Sequence, residues 1–183
     1  MIAIESFKRF RIKDLIIIMS FSVIYLIIDL IISFFNHPQY NYILSFFFFI
    51  FILTFLVYLV RRAGTAALFG LTASIFTSTL GNLDITGQNK IIILTLLGIL
   101  FEIVFLILKL EIKLLPLDVI LSVALASAII PIISIISIKV NSPTILFNLS
   151  LLNFFIAISA SIISFLLWFK LKTKRLIIEF EYL

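Results

Sequence analysis

The chain has 183 residues, of which 63% are hydrophobic and only 13% are charged, with a net charge of +5 and a mean hydropathy of +1.33. Soluble domains use about 45–50% apolar and about 25% charged residues, so this composition excludes an ordinary soluble fold and favours an integral membrane protein. Cysteine is absent, which excludes a disulfide framework, thiolate metal sites and a cysteine nucleophile.

Six apolar stretches follow one another along the chain, each near the length of a helix that crosses a hydrocarbon core of about 30 Å. The predicted spans cover residues 15–35, 42–60, 63–80, 91–108, 119–138 and 147–169. The first stretch follows basic residues but is of span length and has no small-residue cleavage site, which favours a retained helix over a signal peptide. The sequence therefore predicts an all-α membrane protein with six transmembrane helices in one integral membrane domain, residues 1–183.

The basic residues indicate how these helices are oriented. Twelve of the fourteen lie before the first span, between the second and third, between the fourth and fifth, or after the sixth, and only Lys90 and Lys139 fall on the other side. Because Lys and Arg are enriched in cytoplasmic loops, we expect a plasma membrane protein with both termini in the cytoplasm. The same distribution argues against nucleic-acid binding, and contact with anionic membrane lipid is the simpler interpretation of the charge.

The third predicted span is rich in small residues, whereas its neighbours are crowded with Ile, Leu and Phe. Small residues recur in it every three or four positions: Gly64, Ala67, Gly70, Ser74, Ser78 and Gly81. A face of this kind lets another helix approach closely. It serves either tight helix packing or, because it lacks bulk, a ligand held beside the helix.

Two acidic residues, Asp29 and Glu102, lie inside predicted spans, where each would cost several kcal/mol if it faced lipid. Asp29 is expected in the outer leaflet and Glu102 slightly below the midplane, roughly 10 Å apart in depth. We expect no basic residue at membrane depth, so that neither acid has an internal ion-pair partner. An unpaired carboxylate favours a cation such as an ammonium, an aminopyrimidine, a metal ion or a proton. The alternatives are a protonated Glu102 bonded to Ser or Thr, and an Asp29 that reaches the interface.

Two outward-facing segments are further candidates for ligand contact. His37 is the only histidine, and a single histidine without nearby acids makes no metal site, so its functional interpretation is the capping of an outward pocket. The loop 81–90 includes Asn82 and Asp84, and it either covers such a pocket or is an ordinary solvated connection. No phosphate-binding glycine loop, His-Glu-x-x-His motif or aspartate cluster occurs, so the sequence predicts neither an enzyme nor a bound cofactor or metal.

Several segments resemble one family of membrane proteins. The segments are Arg11-Ile12-Lys13-Asp14-Leu15, Gly64-Thr65-Ala66-Ala67-Leu68 after Arg61-Arg62, Leu80-Gly81-Asn82, and Glu102-Ile103-Val104-Phe105-Leu106. Together they resemble the substrate-binding S component of energy-coupling factor (ECF) transporters, most of all the YkoE type associated with thiamin or its hydroxymethylpyrimidine precursor. The resemblance extends from about Lys8 to Leu108 and is weaker beyond.

The resemblance implies a six-helix S-component bundle that captures a vitamin from outside and works with a transmembrane T component and two ATPase subunits. It places Glu102 at the family's acidic position in the fourth helix, Asn82 after the glycine that ends the third, and Gly64 at the glycine that opens it. The sequence departs from the pattern at Ala63, where a proline is common. It departs also in the first helix, where Ser20 and Ile24 replace alanines that dock the T component in some members.

The expected function is therefore substrate binding in an ECF-type importer of a vitamin or vitamin precursor, possessing no enzymatic activity of its own. Glu102 is the expected anionic anchor and Asn82 a hydrogen-bonding neighbour, and the further predicted ligand contacts are Asp29, His37 and Asp84. The predicted residues for helix packing or partner docking are Gly64, Gly70, Ser74, Ser78, Gly81 and Ser20. Two alternatives remain: a membrane scaffold or assembly subunit without transport activity, and a small proton-coupled transporter that uses Glu102 as its relay.

Overall fold

The computed structural model describes residues 10–35, 37–83, 86–108, 116–134 and 143–173. Six helices occupy these ranges: α1 (Ile12–Ser33), α2 (Pro38–Val60), α3 (Thr65–Phe76), α4 (Gly87–Leu108), α5 (Leu117–Ser134) and α6 (Pro143–Thr173). Four of them, α1, α2, α4 and α6, are long and apolar enough to cross a membrane, and α3 and α5 are shorter apolar helices. The prediction of an all-helical membrane protein is confirmed.

The helix α3 departs most from its predicted span, 63–80, because it has only 12 residues. It begins after Gly64, whose φ of +93° is in the left-handed region that glycine adopts without strain. Near its end, the hydroxyls of Ser74 and Thr77 bond to the carbonyls of Leu71 and Ala73. Such local bonds compete with the regular helix, and α3 ends at Phe76. Hydropathy predicts neither the start at Gly64 nor the end at Phe76, because it takes no account of backbone conformation or of side-chain hydrogen bonds.

The contacts between helices follow one order around the bundle: α1, α3, α4, α5, α6, α2 and back to α1. The helix α2 also touches α3 and α5, and its residues Phe49, Ile50, Leu53 and Leu56 are fully buried. Many apolar side chains of α1 and α6, by contrast, are exposed on the outside of the bundle. This inside-out distribution of exposed apolar side chains is expected where lipid replaces water as the solvent.

Two glycines allow α3 and α4 to approach each other closely. A Cβ added to Gly98 would lie 2.4 Å from the carbonyl oxygen of Ala66, and one added to Gly70 would lie 2.5 Å from that of Leu94. Both distances are far inside van der Waals contact, so a larger residue at either position must push the helices apart. Because residue 66 faces 98 and residue 70 faces 94, the two helices run antiparallel.

The basic side chains gather at one end of the bundle. Arg62 pairs with Asp14 of α1 at 2.6 Å, and Arg61 lies 5.4 Å from the ring centroid of Trp168 of α6. These contacts join the start of α1, the connection between α2 and α3, and the end of α6, and we call this the basic end. Six of the seven basic residues in the described ranges lie there: Arg11, Lys13, Arg61, Arg62, Lys170 and Lys172. The seventh is Lys90.

Candidate functional site

Asp29 of α1 lies at the centre of a buried polar cluster near the end of the bundle opposite the basic end. Its Oδ2 forms an ion pair with Nζ of Lys90 at 3.2 Å, and both side chains are 0% exposed. Its Oδ1 accepts hydrogen bonds from Oγ of Ser45 at 2.5 Å and from Nδ2 of Asn82 at 3.0 Å. The carboxylate is therefore bound by one ammonium, one hydroxyl and one amide.

The cluster extends beyond the carboxylate in two directions. The hydroxyl of Tyr25 lies 3.0 Å from Oγ of Ser45, and it is the donor in this bond because Ser45 gives its own proton to Asp29. On the other side, Nζ of Lys90 also donates to the carbonyl of Leu80 at 3.0 Å. We call Tyr25, Asp29, Ser45, Asn82 and Lys90 the Asp29 cluster.

The Asp29 cluster joins four parts of the fold. Tyr25 and Asp29 belong to α1, Ser45 to α2, Asn82 to the connection between α3 and α4, and Lys90 to the first turn of α4. Asn82 is tied twice, because Nδ2 also donates to the backbone carbonyl of Asp29 at 2.6 Å. Hydrogen bonds in such a dry network are stronger than in water, so the cluster holds these elements in one fixed arrangement.

The expectation that Asp29 has no internal ion-pair partner is wrong. The predicted outward loop, 81–90, includes Lys90, but α4 begins at Gly87 and so contains this residue, whose side chain is buried. One signal in the sequence points to this arrangement. Lys90 is one of only two basic residues that oppose the positive-inside distribution, and an exception of this kind is explained when the lysine neutralises an acid inside the protein.

Glu102 of α4 binds the first turn of α3. Its Oε2 accepts a hydrogen bond from the backbone N–H of Gly64 at 2.9 Å, and its Oε1 accepts bonds from Ala66 at 2.9 Å and Ala67 at 3.2 Å. The side chain is half-buried. These N–H groups have no partner within α3, and the helix dipole favours a negative charge beside them, so the carboxylate acts as an N-terminal cap supplied by another helix.

The structure does not bring Asn82 to Glu102, as the expected anchor and its neighbour would require. Asn82 bonds to Asp29, which contacts α4 at Lys90, twelve residues from Glu102. Twelve residues correspond to about 18 Å along a helix, so Asp29 and Glu102 belong to separate sites. Ligand contact by Glu102 stays a prediction, and a ligand there must share the carboxylate with three backbone N–H groups.

The remaining predicted ligand contacts lie away from the Asp29 cluster or outside the described residues. His37 precedes α2 with an exposed side chain, and its ring meets that of Tyr40 edge-on with centroids 5.7 Å apart. Asp84 lies outside the residues that the structure describes. Within the described ranges, no group of three His, Asp or Glu side chains lies in an arrangement that would hold a metal ion.

The residues predicted for packing or docking have different surroundings. Gly70 is against the backbone of α4, and Ser74 is buried with its hydroxyl bonded to Leu71 at 2.8 Å. The carbonyl of Ser78 accepts a bond from the N–H of Gly87 at 2.7 Å. Gly81 and Ser20 are exposed. The closest approach between α3 and α4 also depends on Gly98, which the sequence analysis did not single out.

No family model, curated protein or solved structure matches the chain. The resemblance to the S components of ECF transporters therefore stays a prediction that rests on the segments quoted above.

Proposed function

We propose that this chain is the membrane-embedded substrate-binding subunit of an importer, of the ECF type that its sequence resembles. The Asp29 cluster is the observation that carries this proposal. Five polar side chains, two of them charged, are enclosed in an all-helical membrane protein. Ionisable groups in such a place are costly, and they typically mark the path or the binding site of a substrate or ion.

The proposed orientation has six membrane crossings with both termini in the cytoplasm. Six described basic residues share one end of the bundle, and the positive-inside rule assigns such an end to the cytoplasm. The Asp29 cluster then belongs to the outer half of the protein. A nutrient that arrives from outside reaches it before any other buried charged group that the structure describes.

The ion pair changes the class of ligand that suits this site. A monocation can bind Asp29 only by displacing Lys90, and this leaves an ammonium without a counter-charge in a medium of low dielectric constant, which costs several kcal/mol. A neutral ligand can instead exchange hydrogen bonds with Ser45, Asn82 and Tyr25 while the ion pair stays intact. We therefore propose a neutral, hydrogen-bonding nutrient such as hydroxymethylpyrimidine rather than the permanently cationic thiamin.

Calorimetry on the purified protein in lipid nanodiscs tests this assignment. We expect hydroxymethylpyrimidine to bind more tightly than thiamin, and the conservative change Asn82→Asp to weaken binding by about tenfold or more, because it replaces a neutral donor with a second carboxylate. Asp14→Asn is the matched control, since it changes an acid at the opposite end of the bundle. Equal losses in both variants, or no binding of either compound, would count against the proposed site and ligand.

Co-purification tests the ECF assignment separately. A subunit of this type should co-purify with a T component and two ATPase subunits when they are expressed together. Transport in vesicles that contain this chain alone would contradict the assignment.

One observation favours a second function, that of a membrane scaffold or assembly subunit. Both oxygens of the Asp29 carboxylate already have hydrogen-bond or ion-pair partners, so the cluster can also serve to hold the helices together. If this is its only role, replacing the ion pair with an uncharged pair of similar volume should leave the function of the assembly intact.

A further inference from the structure

Asn153 of α6 is a buried amide with one group that has no partner. Its side chain is 0% exposed, and its Oδ1 accepts a hydrogen bond from the hydroxyl of Tyr42 of α2 at 2.8 Å. Its Nδ2 has no hydrogen-bond partner in the part of the chain that the structure describes. An amide nitrogen carries two N–H groups, and a buried donor without an acceptor destabilises a fold. Both N–H groups are therefore available to an acceptor from outside the described fold.

A second donor without a partner lies one helical turn away. Residues three apart are neighbours on a helix surface, so Ser150 and Asn153 share a face of α6. The buried Oγ of Ser150 also has no partner among the described residues, whereas the hydroxyls of Ser159 and Ser161 bond to backbone carbonyls of the same helix. A serine within a helix often satisfies its hydroxyl in this local way. Ser150 instead keeps its proton for another acceptor.

These donors of α6 are not accompanied by a charge on their own helix. Residues 143–169 include no acidic or basic side chain, and the ammonium of Lys90 is already paired with Asp29. Burying a carboxylate or a phosphate beside uncharged donors alone costs a large free energy. The site therefore suits an uncharged acceptor, such as an aromatic ring nitrogen or a carbonyl oxygen.

The bond between Tyr42 and Asn153 lies close to the Asp29 cluster. Tyr42 and Ser45 are three residues apart on α2, which corresponds to about 4.5 Å along a helix and makes them neighbours on its surface. Ser45 donates to Asp29 of α1, and Tyr42 donates to Asn153 of α6. A small molecule at this end of the bundle therefore has the free donors of α6 beside the Asp29 cluster.

We propose that Asn153 and Ser150 donate hydrogen bonds to uncharged acceptor atoms of the imported nutrient. Tyr42 is a positioning residue, because its bond to Oδ1 fixes the amide with Nδ2 turned away from the Tyr42 hydroxyl. The inference rests on the proposed function, since it assigns further contacts to the same substrate. At Asp29 a ligand must exchange existing hydrogen bonds, whereas at Asn153 it gains new ones without breaking any.

Calorimetry in lipid nanodiscs with hydroxymethylpyrimidine and its two pyridine analogues tests these contacts. Each analogue has a C–H group in place of one ring nitrogen and so lacks one acceptor. We expect the wild-type protein to bind at least one analogue about tenfold more weakly than hydroxymethylpyrimidine. Asn153→Leu should weaken hydroxymethylpyrimidine binding by a similar factor. It should also no longer distinguish hydroxymethylpyrimidine from that analogue, because the donor to the missing nitrogen is gone.

Two further variants separate ligand binding from a structural role. Ser150→Ala removes a hydroxyl without a partner in the described fold, so stability should stay unchanged while affinity falls by about threefold. It also decides the test if Asn153→Leu folds poorly. Asn148→Leu is the matched control, because it removes the same amide from an exposed position on the same helix and should bind like the wild type.

The results that would overturn this inference differ from those that would overturn the proposed function. Weaker binding in Asn82→Asp but unchanged binding in Asn153→Leu and Ser150→Ala would leave the proposed function in place and assign the free donors to bound water. An equal loss in Asn148→Leu, or an analogue penalty that persists in Asn153→Leu, would show that Asn153 does not contact the ligand. Equal affinity of the wild-type protein for all three compounds would lead to the same conclusion. Absence of hydroxymethylpyrimidine binding to the wild-type protein would contradict both proposals.

Discussion

Glu102 and Lys90 of α4 contact the chain on either side of α3. Glu102 accepts hydrogen bonds from the first turn of α3, and Lys90 donates to the carbonyl of Leu80, four residues beyond the last residue of the helix, Phe76. A helix of 12 residues is about 18 Å long, shorter than a hydrocarbon core of about 30 Å. The N–H groups of its first turn therefore need partners inside the protein, and α4 supplies them with the carboxylate of Glu102, whose negative charge is favoured at that end of the helix dipole.

Substitution of Glu102 should weaken the start of α3 in a graded manner. Glu102→Gln keeps one acceptor oxygen but loses the charge, and we expect it to lower the free energy of unfolding by about 1 kcal/mol. Glu102→Met removes both acceptors and should cost more, because three backbone N–H groups then lose their partner. Thermal unfolding in detergent measures both effects, with Trp168 as the only tryptophan to report on them. Equal stability of both variants and the wild type would show that the cap contributes nothing.

The ion pair between Asp29 and Lys90 should show strong coupling in a double-mutant cycle. Asp29→Asn and Lys90→Met each leave one charge buried without its counter-ion, and we expect each to lower the free energy of unfolding by about 3–5 kcal/mol. The double variant leaves no uncompensated charge and should recover much of this loss. The cycle is measured by chemical unfolding in detergent micelles.

The pair of Asp14 and Arg62 is the control for that cycle. Its side chains are 16% and 11% exposed, so water screens the pair more than it screens Asp29 and Lys90. Asp14→Asn should therefore cost less than Asp29→Asn. Additive losses in the Asp29 and Lys90 cycle would mean that the two residues do not stabilise each other.

Because α3 and α4 approach each other closely, we expect alanine to destabilise the protein much more at Gly98 than at Gly81. Gly98→Ala places a Cβ 2.4 Å from the backbone of Ala66, and overpacking of this kind costs about 1–3 kcal/mol. Gly81→Ala is the control, since among the described residues its Cβ meets only the methyl group of Thr86 at 3.6 Å, an ordinary contact. The melting temperatures of the two variants test this prediction. A Gly98→Ala protein as stable as Gly81→Ala would contradict the close approach of α3 and α4.

Hydropathy is sufficient to predict six helices, because each helix coincides with a long stretch of apolar residues. It was less successful at helix ends, where single hydrogen bonds decide. The α3 segment ends at Phe76 instead of residue 80, and α4 begins at Gly87 instead of residue 91. The second difference had the larger consequence, because it moved Lys90 from a loop into the core.

The residues of the candidate site were only partly predictable. Asp29 and Asn82 stood out as a buried acid and a loop amide, but Ser45 and Tyr25 are ordinary polar residues whose importance depends on which helices are neighbours. The surroundings of Glu102 were equally hidden, since sequence spacing cannot show that a side chain of α4 reaches the backbone of α3. The partners of Asp29 and Glu102 therefore depend on which helices are neighbours, and hydropathy does not predict this.

The proposed orientation predicts which ends of the helices are accessible from outside the cell. The natural chain has no cysteine, so a single introduced cysteine is the only thiol in the protein. His37 and Lys170 are both exposed and belong to opposite ends of the bundle. With both termini in the cytoplasm, His37→Cys should react with a membrane-impermeant maleimide on intact cells, whereas Lys170→Cys should react only after permeabilisation. Labelling of Lys170→Cys but not of His37→Cys on intact cells would reverse the orientation, and labelling of both variants would require an even number of crossings between them.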